Sequence, residues 1–136
     1  MLERTYISDR NFDKPLTIIA APGAKERIEQ LCNIAYPGSL DRILGAVNWC
    51  EDESGITSDG WSWKRFRVLH DESVDPFGYK FESSNGASFV HSGDSGPYDE
   101  LYNAIENTPL VVIEMGIPEW VDSKHHHKPS DIKKLD

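Results

Sequence analysis

The sequence predicts an α+β fold: a mainly antiparallel sheet of about five strands with three helices, in the order ββ-αα-βββ-α-β. Three observations predict it. Between Gly60 and His91, aromatic and β-branched residues fall in short runs separated by turn signals, which is strand chemistry. Asn85-Gly86 separates two such runs, a strong hairpin signal because a type I′ turn needs positive φ at both central residues. On either side, apolar residues recur at helical spacing: Ile28, Leu31, Cys32 and Ala35, then Tyr98, Leu101, Tyr102 and Ile105.

Taken in order, Thr5–Ser8 reads as a short strand and Leu16–Ala20 as a buried one, ended by Pro22-Gly23. Pro37-Gly38 stops the first helix, and Ser39 caps a second whose apolar face is Leu40, Ile43, Leu44 and Val47. Residues 51–60 read as an acidic loop. The meander follows, with Phe66, Val68, Phe77, Tyr79, Phe81 and Val90 as candidate core. Pro97 suits the first position of a helix, and Asp99 and Glu100 favour its dipole. Leu110–Ile113 is the most apolar run and reads as a central strand. Trp120 is placed folded back on the core. Ile28, Leu31, Leu44, Ile105 and Val112 are the residues expected to be almost fully buried. Residues 1–122 read as one domain and residues 123–136, with three adjacent histidines, as a polar solvated tail.

At 136 residues the chain is long enough to bury a core. Its two cysteines suggest reduced thiols and a cytoplasmic protein. No run is long and apolar enough for a membrane span, and the opening residues show no secretory h-region. The net charge of −9 argues against gripping a nucleic-acid duplex. Glu51, Asp52, Glu53, Asp59, Asp71 and Glu72 cluster in predicted turns, and the expected partner of such loops is a basic protein.

Gly93-Asp94-Ser95-Gly96-Pro97 resembles the Gly-Asp-Ser-Gly-Gly-Pro nucleophile loop of chymotrypsin-like serine proteases. The chain is too short for that family's two barrels and lacks its Ala-Ala-His-Cys motif, so the loop reads as a turn and helix cap. The α-β-β-β-α stretch resembles the double-stranded RNA-binding domain in topology alone. That family's basic helix start is replaced here by Asp94, Asp99 and Glu100, which removes the function.

Trp61, Trp63, Arg65 and Arg67 alternate, so on a strand they share one face. Two indoles and two guanidiniums there would suit a nucleotide-like anion. His125–His127 is weighed as a metal set and set aside, because adjacent histidines in a tail rarely hold fixed geometry. His70 and His91 end strands, and His70 beside Asp71 and Glu72 is a candidate acid/base group. No cofactor or metal is expected. The leading expectation is a small, non-enzymatic inhibitor of a basic, nucleic-acid-handling protein. The alternatives are the small-ligand module on the Trp61/Arg65 face and a small hydrolase.

Overall fold

The computed structural model describes residues 16–45, 47–71 and 73–135. The expected strand Thr5–Ser8 and the residue Glu72 lie outside them. The chain forms two compact units, one up to Asp52 and the other from Glu53 onward. The α+β class and the mainly antiparallel five-stranded sheet are as the sequence predicts.

In the first unit, β1 (Leu16–Ile19) leads through a left-handed Gly23 into α1 (Ala24–Ala35). Helix α2 (Leu40–Leu44) follows, then β2 (Val47–Cys50). Strands β1 and β2 pair in parallel, Leu16 beside Val47 and Ile19 beside Cys50. Val47 therefore opens a strand instead of closing the α2 face. A parallel partner needs a crossover, and the two helices supply it. Glu51 caps α1: its carboxylate accepts the Lys25 backbone N–H at 2.8 Å. That bond, with further ones from Gly23 and Ala24, holds the Glu51 carboxyl below its ordinary value.

In the second unit, β3 (Ser54–Ile56), β4 (Ser62–Arg67), β5 (Phe77–Glu82), β6 (Ser88–His91) and β7 (Leu110–Val112) lie side by side in that order. The first four are antiparallel neighbours, and β7 joins β6 in parallel. Strand β3 falls where the sequence suggested loop. The β5–β6 turn also differs from the expected type. Gly86 has φ +86°, but Asn85 is not among the positive-φ residues, so only one centre is left-handed. The turn closes instead through Gly86 N–H to Ser83 O at 3.1 Å and Ser83 N–H to Ala87 O at 2.8 Å.

Helix α3 (Asp99–Ile105) covers one sheet face. Val68, Val90 and Leu101 form the buried core there, with Phe66, Tyr98, Tyr102, Ala104, Ile105 and Ile113 against it. The register puts Phe77, Tyr79 and Phe81 beside Arg67, Arg65 and Trp63, on the opposite face. These three rings are thus not part of the α3 core. They belong to an aromatic row in which Phe81 stacks on Phe89 at 4.6 Å and Trp63 leans on Tyr79 at 6.3 Å.

Burial corrects several expectations. Leu44 is buried, and Ile28 and Ile105 are half-buried. Leu31 is 64% exposed, because helix α1 buries none of its residues. Val112 is 48% exposed, because β7 is an edge strand and not a central one. Trp120 is 86% exposed and does not fold back. Residues 123–135 are not a solvated tail: α4 (Pro129–Ile132) forms there, and His127 and Asp131 are buried. Asp131 turns back to accept the Lys128 N–H at 3.3 Å, capping that helix. No helix among the described residues is long and apolar enough to cross a membrane.

Candidate functional site

Strands β4, β6 and β7 all run in the same direction, so their C-terminal ends lie at one end of the sheet. His70 follows β4, the Gly93–Gly96 loop follows β6, and Glu114 follows β7. The segment 124–127 is packed among them. Gly96 donates its N–H to Leu69 O at 2.8 Å. A Cβ on Gly96 would run into the Lys124 carbonyl, so this close approach requires glycine. The Gly-Asp-Ser-Gly loop is therefore a clamp between two chain segments. Ser95 in it is fully buried, and its hydroxyl donates to Gly96 O at 2.7 Å.

His127 is 0% exposed. Its Nδ1 lies 2.6 Å from the Ser95 carbonyl oxygen. A carbonyl only accepts, so Nδ1 carries the proton, and in the neutral ring Nε2 is the lone-pair nitrogen. That Nε2 is buried without a hydrogen-bond partner, as is Nε2 of His125. Buried polar atoms are nearly always paired, so these two nitrogens need an explanation. His70 repeats the arrangement more loosely, its Nδ1 donating to His125 O at 3.4 Å. The His70 ring lies 5.1 Å from that of His126 and 6.2 Å from that of His125.

Glu114 ties the group together. Its backbone N–H donates to Ser92 Oγ at 3.1 Å. Its Oε1 lies 2.9 Å from His126 Nδ1, and its Oε2 accepts the His127 N–H at 3.4 Å. A side chain at Gly116 would meet the Glu114 carboxylate, so glycine leaves room for the carboxylate to turn back. Glu114 and His126 form a carboxylate–imidazole dyad with Nε2 left for proton transfer. Asp71 stands beside the cluster. Hydrogen bonds from Ser73 hold its carboxyl below the ordinary value, and His70 and His125 add to this. Among the described residues, no three His, Cys, Asp or Glu side chains converge as a metal set.

The residues singled out in the sequence are placed as follows. Trp63, Arg65 and Arg67 share one face of β4, with Trp61 just before it. Trp63 is buried against Tyr79, and Trp61 packs edge-on to Phe89. Arg65 approaches Glu53 at 3.9 Å, and Arg67 pairs with Asp75 at 3.0 Å. Both guanidiniums lie over the Phe77 ring. Asp52 accepts from Cys50 Sγ at 3.4 Å, Asp59 is exposed, and Glu51 is the cap of α1. His91 is exposed and accepts the Gly93 N–H at 3.0 Å. Of these residues, His70 and Asp71 belong to the histidine cluster, as do His125–His127, which the sequence sets aside as tail.

No protein-family model matches the chain, and no curated protein does. Solved structures do. The metallo-β-lactamase-fold protein YhfI from Bacillus subtilis superposes with a TM-score of 0.62 at 17% identity, over 93% of this chain and 48% of that one. The isothiocyanate hydrolase from Delia radicum gut bacteria superposes with a TM-score of 0.60 at 13% identity, over 90% of this chain and 50% of that one. The chain thus spans about half the length of each. This likeness of fold overturns the reading of the chain as a non-enzymatic inhibitor of a basic protein.

Proposed function

We propose that the chain is part of a metal-dependent hydrolase, with its reaction centre at the end of the five-stranded sheet that holds His70, Glu114 and His125–His127. One observation carries this: the buried, partnerless Nε2 of His127. A metal-ligating histidine commonly donates its other ring N–H to a backbone carbonyl, and His127 does so to Ser95. The donor chemistry therefore fits a divalent cation of the zinc type, held by His127 through Nε2. His125 offers a second buried, unpaired Nε2. Among the described residues no three such side chains converge, so no further ligand is assigned to this chain. Once bound, the cation would supply Lewis-acid polarisation of the electrophilic centre.

The chain's own residues supply the rest. Glu114 fixes the His126 ring through Nδ1, so His126 Nε2 is the group that takes a proton from the attacking water and passes it to the departing atom. Ser95 and the Gly96 clamp hold His127 in one tautomer. The hydrolase among the similar structures acts on isothiocyanates by its description, and small electrophiles of that kind are the first substrates to assay.

Calorimetric titration with Zn(II) tests the reading. The chain should bind zinc saturably, and His127→Ala should weaken binding by at least about tenfold. His126→Ala should keep the zinc and lose hydrolysis. Zinc binding unchanged in His127→Ala would overturn it.

A further inference from the structure

Strands β6 and β7 end side by side, with His91 opposite Val112. The Ser92 N–H adds one more rung, to Val112 O at 2.9 Å. In a regular parallel ladder the next rung would run from the Glu114 N–H to the Ser92 carbonyl. It runs instead to the Ser92 hydroxyl, at 3.1 Å. That hydroxyl gives its own proton to Gly93 O at 2.6 Å, so a lone pair is what it presents to Glu114. Ser92 is 1% exposed, and both bonds lie inside the protein. Glu114 stands two residues beyond β7, and its carboxylate turns back to His126 Nδ1 at 2.9 Å and to the His127 N–H at 3.4 Å. Gly116 keeps the turned position open, since a Cβ there would collide with Glu114 Oε1 and crowd His126 Nδ1 at 3.2 Å. The loop after β6 thus addresses two histidines. Ser95 holds His127 through its carbonyl, and Ser92 reaches His126 through Glu114.

We propose that Ser92 is a positioning residue for proton transfer at this site. By drawing the Glu114 N–H off the ladder, its hydroxyl turns the Glu114 carboxylate onto His126 and fixes that ring with Nδ1 protonated and Nε2 free. The inference rests on the reading of His126 as the proton-transfer group of a hydrolase. A carboxylate holds an imidazole N–H firmly, because charge-assisted hydrogen bonds are the stronger kind. Without the hydroxyl, the Glu114 N–H is left with the carbonyl of residue 92, the regular rung, and the carboxylate swings off His126. A hydroxyl that served packing alone would cost stability when removed and leave the His126 ring as it was.

The test reads ring tautomers by long-range ¹H–¹⁵N NMR on the full chain without added metal. It is run at about pH 9, where an imidazole of ordinary pKa is neutral. Neither zinc nor turnover is needed, so its outcome is separable from that of the zinc titration. In Ser92→Ala the ratio of Nδ1–H to Nε2–H in His126 should fall about tenfold. His127 should keep its Nδ1 proton, because the Ser95 carbonyl is untouched, and this shows that the fold is intact. Gly116→Ala should reproduce the loss at His126 with Ser92 in place, since the end of the Glu114 side chain can swing away from the new methyl. A third measurement needs no variant: in the parent, the Glu114 amide should show no scalar coupling across a hydrogen bond to the Ser92 carbonyl carbon. Should Ser92→Ala fail to fold, this coupling and Gly116→Ala still decide. A His126 ratio unchanged in folded Ser92→Ala or in Gly116→Ala overturns the proposal. So does a coupling between the Glu114 amide and the Ser92 carbonyl in the parent.

Discussion

Helix α3 buries Leu101 completely against Val68 and Val90, whereas α1, with twelve residues to its seven, buries none. Both carry apolar residues at the same helical spacing. The difference is what lies opposite. Helix α3 rests on a five-stranded sheet of its own unit, while the unit of α1 has two short parallel strands. Periodicity identifies the apolar side of a helix; a neighbouring surface decides whether that side becomes core.

The sharpest way to break this comparison is to truncate both faces. Leu101→Ala should cost about 2–5 kcal/mol, since it removes a buried side chain and leaves a cavity. Leu31→Ala should cost about 0.5 kcal/mol or less, as at an ordinary surface position. Urea melts giving equal losses would show that the α1 face is covered after all. Next in size is Gly96→Ala. Its Cβ would meet the Lys124 backbone, which has no flexible end to yield, so a loss of about 1–3 kcal/mol is expected. A neutral result would remove the clamp from the account of the second unit.

The smallest effect sharpens the first unit. Glu51 has its folded pKa lowered by the backbone N–H groups of Lys25, Gly23 and Ala24. Its contribution is therefore present above the unfolded value and is lost as pH falls through the lower folded one. Glu51→Gln should flatten the acid limb of the stability profile and leave the neutral limb with little pH dependence. An acid limb as steep as the parent's would show that the cap does not act through this carboxylate.

The strands of the meander and the helices were legible because their signals are local. Trp63, Arg65 and Arg67 alternate, and Leu101 and Ile105 repeat by four. The site was less legible, because it is assembled from the ends of strands far apart in sequence. His70 stands out beside Asp71 and Glu72 in the sequence, but nothing local marks Glu114 as its neighbour. The histidine run reads as tail, since polar residues without periodicity look solvated. Only the fold shows that Ser95 offers a carbonyl to His127. A usable signal was present in the order of the elements: β4 and β6 lie two strands apart in an antiparallel sheet, so His70 and the Gly93–Gly96 loop must share an end. The edge position of β7 was not readable from Leu110–Ile113, because an exposed edge and a buried centre can have the same apolar composition.

The central claim concerns one atom, the Nε2 of His127. A long-range ¹H–¹⁵N correlation spectrum of the imidazoles reads its state directly. The account predicts the neutral ring of His127 as the tautomer with Nδ1 protonated and Nε2 bare, and the Nε2 signal moving on addition of Zn(II) while Nδ1 keeps its proton. A His127 with Nε2 protonated and Nδ1 bare, or an Nε2 signal indifferent to zinc, would contradict it.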